Sequence, residues 1–219
     1  MQIAIDGPAG AGKSTVAKKV ANELNYLYID TGAMFRALTY EALRLNVDVN
    51  DGKQLSQLLK GLEIEFIPNE NGQRVLVNNT DVTEEIRSQK VTNNVAAVAT
   101  HKEVRAEMLT RQRQLASKGS VVMDGRDIGT CVLRDAPLKI FLTASAEERA
   151  RRRHQELKMK GIHTDINQLK KEIEERDKRD SEREIAPLKK AEDAIEIDST
   201  HLTIDEVVQK ILALVKERS

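Results

Sequence analysis

The 219-residue chain carries 35 Lys+Arg against 35 Asp+Glu. Its net formal charge is therefore zero, which argues against a globally basic nucleic-acid-binding surface and leaves any anion site to a local cluster. Apolar residues at 40% and charged residues at 32% exclude a disordered or membrane-embedded composition. The single Cys131 excludes an internal disulfide framework and fits a reducing cytoplasm. No run approaches the roughly 20 apolar residues of a membrane span.

In chain order, residues 2–6 (QIAID) predict a short apolar strand running into a glycine loop. Residues 13–24 predict a helix with Val16, Val20 and Leu24 on one stripe. A second strand at 26–29 leads to Asp30-Thr31-Gly32 and a helix through Leu45. The alternation at 61–83, with a turn at Asn69-Glu70-Asn71-Gly72, predicts a β-hairpin. Strands follow at 120–123 and 138–142, with Cys131 read as strand or strand-end packing. Residues 147–184 predict two charged helices with a gap at 161–164, then a last strand at 194–197 and a helix from about Ile204 to Lys216. Short apolar runs separated by helices predict parallel strands covered on both faces.

Gly7-Pro8-Ala9-Gly10-Ala11-Gly12-Lys13-Ser14, with Thr15 after it, fits G-x-x-x-x-G-K-[ST] between a strand and a helix. Its glycines let consecutive N–H groups face a phosphate chain, and the positive helix end adds to the attraction. Lys13 is then expected on the β- and γ-phosphates, and the Ser14 hydroxyl on Mg²⁺. Asn-Lys-x-Asp and Asp-x-x-Gly are both absent from the sequence, which argues against a GTPase switch.

A kinase for a phosphorylated acceptor needs arginines to neutralise two anionic substrates. Arg36 follows the second strand, and Arg126 and Asp127 follow the third in Asp124-Gly125-Arg126-Asp127. Ligands of open α/β sheets bind at such strand ends. Arg176, Asp180 and Arg183 stand at i, i+4 and i+7, and Arg149, Arg152 and Arg153 at i, i+3 and i+4. Gly161 suits a moving lid. These residues leave open another nucleotide, a small acid or a sugar as acceptor, or a regulator that binds ATP without turnover.

Four stretches in order, IAIDGPAGAGKST, IDTGAMFRALT, VVMDGRDIGT and ERDKRDSEREIAPLKKAEDAIEIDST, resemble the bacterial cytidylate kinases, the (d)CMP branch of the nucleoside monophosphate kinases. The resemblance spans essentially the whole length. It implies an α/β P-loop NTPase three-layer fold with a parallel sheet of about five strands covered by helices. It also implies an inserted β-containing nucleoside-monophosphate-binding subdomain and a short lid. The implied single domain has its core at about 1–35, 97–148 and 184–219, the insertion at about 36–96, and the lid and following helix at about 149–183. The implied reaction uses ATP with Mg²⁺ and CMP or dCMP in a cytoplasmic monomer without nucleic-acid or membrane partners. By the same resemblance Arg36 and Arg126 hold the CMP phosphate, and Arg105, Asp127 and Arg183 meet the cytosine. Arg176 and Asp180 hold the ribose, Thr31 lies at the pocket floor, and Arg152 and Arg153 meet the transferred group. Phe35 stands where Tyr is more usual, and Ala96 where some relatives have Ser. Independently, a carboxylate such as Asp127 can accept from the exocyclic amine of cytosine, which uracil lacks.

Overall fold

The computed structural model describes residues 1–69 and 72–218. The elements in chain order are β1 (Gln2–Asp6), α1 (Lys13–Leu24), β2 (Leu27–Asp30), α2 (Thr31–Arg44) and α3 (Gly52–Lys60). They continue with β3 (Ile64–Asn69), β4 (Gly72–Val77), β5 (Thr80–Asp81), α4 (Gln89–Val98) and α5 (Lys102–Ala116). The last are β6 (Val121–Gly125), β7 (Leu138–Thr143), α6 (Ala146–Met159), α7 (Ile166–Glu182), β8 (Ile195–Asp198) and α8 (Ile204–Arg218). The chain divides into two compact units, residues 1–28 with 119–219 and residues 29–118.

The first unit is built on a five-stranded sheet in the order β2-β6-β1-β7-β8, and β1 pairs in parallel with both β6 and β7. β8 continues the sheet in parallel with β7. All five residues of β6 and four of five in β1 are buried. Strands covered on both faces must be apolar throughout, and that is why these segments read as continuous rather than alternating. One face of the sheet packs against Val16, Ala17, Val20 and Ala21 of α1 and Val207, Val208, Ile211 and Val215 of α8. Burial of a Val or Ile of this kind contributes about 1.5–3 kcal/mol relative to exposure.

Register fixes what stands at the carboxyl end of the sheet. Ile5 pairs with Asp124 and Asp6 with Gly125, so the loop after β1 and the Asp124–Asp127 stretch leave the sheet side by side. Asp6 accepts from the Ile128 N–H at 2.8 Å and the Gly129 N–H at 2.7 Å. Those bonds draw 128–132 into a wide helical turn, Ile128–Val132. Cys131 therefore sits in that turn and not in a strand.

Gly7 leaves β1 at φ +150°, and a Cβ there would lie 1.9 Å from the Leu142 carbonyl oxygen of β7. The Leu142 backbone is held by its strand pairing and cannot give way. Gly7→Ala is expected to cost at least about 3 kcal/mol, among the severe single-site losses. Urea denaturation checks this, and a midpoint equal to wild type would contradict it.

The second unit holds α2 to α5 and the antiparallel sheet β3-β4-β5. The β3–β4 pairing runs from Ile64↔Val77 to Asn69↔Gly72; the centre of the expected turn, Glu70 and Asn71, lies outside the described residues. Asp30 caps α2 by accepting from the Ala33 N–H at 2.8 Å, and Asp51 caps α3. Leu38, Leu55, Leu59, Ile86, Val98 and Met108 are fully buried in this unit.

Candidate active site

In the first unit the phosphate loop runs from Gly7 to α1, whose N-cap is Gly12 at φ 90° with no side-chain cap. A Ser or Asp cap would consume first-turn N–H groups that an anion otherwise meets. Lys13 opens the helix and is buried, with Nζ donating to the Pro8 carbonyl at 2.8 Å. Burial pulls its pKa from 10.5 down to about 7, with Arg126 and Arg176 adding to the effect and Asp124 opposing it. Asp6, behind the loop, is pushed up to about 6 by burial against the restraint of its bonds from Gly129 and Ile128. An anion placed on the loop would offset that penalty on Lys13.

Ser14 Oγ donates to Asp124 Oδ2 at 2.8 Å, and the Tyr28 hydroxyl donates to Asp124 Oδ1 at the same distance. Asp124 is buried at the end of β6. A hydroxyl and a carboxylate in contact are hard oxygen donors that suit Mg²⁺. Among the described residues no group of three or more His, Cys, Asp or Glu could hold a metal. A magnesium ion here would take its other ligands from phosphates and water, as that ion commonly does.

Beyond the loop lies a charged cluster. Arg126 Nε donates to Asp180 Oδ2 at 2.9 Å, and Arg183 Nη1 approaches Asp180 Oδ1 at 4.0 Å. Arg183 also donates to Asp127 at 3.5 Å and to the Ala186 carbonyl at 2.7 Å. Burial alone would raise the Asp180 carboxyl, but Arg126, then Arg176 and Arg183, hold it below its ordinary value. Three arginines against the Asp180 and Asp127 carboxylates leave the cluster with a net positive charge. α7 supplies Arg176 and Asp180 and ends at Glu182, so Arg183 stands at its C-cap.

On α6, Arg152 donates to Glu148 at 2.8 Å and to Ser199, by Oγ at 3.1 Å and the carbonyl at 2.6 Å. Its Nη1 lies 3.9 Å from where a Cβ on Gly12 would stand, beside the phosphate loop. Arg153 pairs with Glu156 on its own helix at 2.8 Å. The link from α6 to α7 contains Gly161 at φ 74°.

The second unit carries the other candidates. Thr31 is buried at the first position of α2. Arg36 Nη1 donates to Thr92 Oγ1 at 2.9 Å and the Ile86 carbonyl at 3.3 Å. Arg105 is buried, donates to the Ala99 carbonyl at 3.0 Å, and lies 5.4 Å from the Phe35 ring centroid. Phe35 thus offers a cation–π face where a Tyr would add only its hydroxyl.

Asp6, Tyr28 and Thr92 stand outside any role legible in the sequence, and Asp124 appears there only within Asp124-Gly125-Arg126-Asp127. Asp6 and Asp124 had a signal, since each is a carboxylate ending an apolar strand.

A parallel sheet carrying this loop, Lys13, a Ser–Asp pair and a separate arginine cluster defines a P-loop phosphotransferase. The solved structures of an uncharacterized protein from Eubacterium ventriosum (TM-score 0.55, 17% identity, 100% and 99% of the two chains) and of shikimate kinase from Bacteroides thetaiotaomicron (TM-score 0.50, 16% identity, 99% and 98%) share the fold. The family model described as cytidylate kinase matches residues 3–217. The cytidylate kinase of Anoxybacillus flavithermus (strain DSM 21510 / WK1) is 61% identical over 218 residues, covering 100% of this chain and 97% of that protein. That of Bacillus cereus (strain B4264) is 60% identical over 215 residues, covering 98% and 96%. The chain belongs to the cytidylate kinase family.

Proposed function

We propose that the chain transfers the γ-phosphoryl group of ATP to CMP or dCMP, giving ADP and CDP or dCDP. The observation that carries the acceptor is family membership across residues 3–217. An acceptor phosphate oxygen forms a bond to the γ-phosphorus as the bond from that phosphorus to the β-bridging oxygen breaks, and ADP leaves. The acceptor oxygen is already anionic, so no strong general base is required.

The loop 7–15 binds the ATP phosphates, and Lys13 moves from Pro8 to the β- and γ-oxygens as its charge is restored. Ser14, with Asp124 behind it, would hold Mg²⁺, which would supply charge neutralisation to the phosphates. Arg126, Arg152 and Arg153 stabilise charge on the group in transfer. Thr31, Arg36, Arg105, Arg126, Asp127, Arg176, Asp180 and Arg183 are assigned to the acceptor nucleotide. Residues at about 36–96 act as the nucleoside-monophosphate-binding insertion and about 149–183 as lid and following helix, in one kinase domain. The protein works as a cytoplasmic monomer without nucleic-acid or membrane partners. No described helix is long and apolar enough to cross a membrane.

The test is ADP release with CMP, dCMP, UMP, AMP and GMP in parallel. Rates on CMP and dCMP are expected to exceed the rate on UMP by at least about tenfold, because a carboxylate facing a uracil carbonyl leaves buried polar groups unpaired. Equal rates on CMP and UMP would remove cytosine recognition, and a silent panel would point to a regulator.

A further inference from the structure

Arg149 stands beside Arg152 and Arg153 in sequence but has a different environment. It is 5% exposed. Its Nε donates to the Ala144 carbonyl at 2.9 Å, one Nη to the Ala9 carbonyl at 3.0 Å, and the other reaches Asp177 Oδ2 at 2.6 Å. Its stem packs on the same loop, since a Cβ on Gly10 would lie 3.3 Å from Arg149 Cβ. Asp177 belongs to α7, between Arg176 and Asp180, and its Oδ1 is buried with no hydrogen-bond partner among the described residues.

Stability alone does not account for this arrangement. An ion pair that leaves one carboxylate oxygen buried and unpaired is a poor stabiliser beside an apolar contact of similar size. Its geometry does something an apolar contact cannot: the planar guanidinium fork spans three acceptors on three segments at once. Holding the Ala9 carbonyl toward Arg149 also fixes the next N–H. Across a planar trans peptide the Gly10 N–H must point the opposite way, toward the side of the loop where successive amides meet a phosphate. The same turn of α7 presents Asp180 to Arg126. One helix is therefore tied both to the donor loop and to the second-anion cluster.

We propose that Arg149 and Asp177 are a positioning couple through which α7 holds the phosphate loop in its transfer-competent conformation. This rests on the reading that the loop carries ATP, and neither residue touches the reacting atoms. Asp177→Asn and Arg149→Lys keep size and change the fork or its partner. Each is expected to lower kcat by on the order of tenfold or more, as a small misplacement of reactants does. KM for CMP should stay within about threefold, because acceptor binding is not the interaction removed. The double variant should be no slower than the slower single variant, as residues acting as one unit require.

Hydrogen exchange supplies a readout independent of turnover. In Asp177→Asn the amides of residues 9–12 should exchange on the order of tenfold faster, while those of β1 and α8 stay unchanged. Unchanged loop exchange, or losses in kcat that multiply in the double variant, would overturn the couple. If the wild type is inert toward CMP while loop exchange still responds to Asp177→Asn, the assigned reaction fails and the couple stands.

Discussion

Lys13→Ala is expected to lower turnover by on the order of 10³-fold, as loss of a main transition-state charge contact does. In the ligand-free state at pH 7 it should nevertheless unfold at no lower temperature than the wild type. The reason is the environment of Lys13. Burial holds its folded pKa near 7 against an ordinary 10.5, so its charged form is disfavoured in the fold. Between pH 7 and 10.5 the unfolded chain binds a proton that the folded one lacks, and wild-type stability from this group therefore rises with pH. Removing the ammonium removes the penalty, so any stability advantage of the variant should shrink as pH climbs toward 10. Differential scanning calorimetry across that range, paired with steady-state kinetics, measures both effects. Near-wild-type turnover would refute the assigned role, and a variant that loses stability at pH 7 would refute the account of its burial.

Asp180→Ala should act on the other substrate. The carboxylate takes Arg126 at 2.9 Å and stands 4.0 Å from Arg183, with Arg176 a further contributor to its lowered pKa. Without it, half-buried arginines repel one another and lose their orientation, a costly change for a partly dehydrated cluster. KM for CMP is expected to rise by on the order of 100-fold, about 2.7 kcal/mol, while KM for ATP changes little. Asp180→Asn should recover part of the loss, because it keeps an acceptor for Arg126 Nε. An effect confined to ATP would move α7 to the donor side.

These two substitutions also mark where the sequence was legible and where it was not. The phosphate loop could be read directly because its function depends on backbone dihedrals that only glycine adopts cheaply, and glycine spacing is visible in one dimension. The sheet could be read because strands buried on both faces leave uninterrupted apolar runs such as the VVM that precedes Asp124. α7 could be read as a face, since Arg176 and Asp180 are separated by one helical turn.

What stayed hidden depends on partners distant in sequence. The bond from Ser14 to Asp124 spans 110 positions, and that from Arg149 to Ala9 spans 140. Local pattern carries no information about such pairs. Cys131 was misread for the same reason: the turn that holds it is set by Asp6, more than 120 residues earlier. Arg149 shows a further limit, because its spacing with Arg152 and Arg153 fits one charged face. The fold instead turns Arg149 inward to the loop and leaves Arg153 paired with Glu156.

The most direct test of the central claim follows the phosphorus atom. Wild-type protein is incubated with ATP labelled in the γ-phosphoryl group, Mg²⁺ and CMP, and the products are separated. The label is predicted to appear in the β-phosphoryl group of CDP, with one ADP formed for each CDP. Label released as inorganic phosphate at a rate unaffected by CMP would contradict a two-substrate kinase.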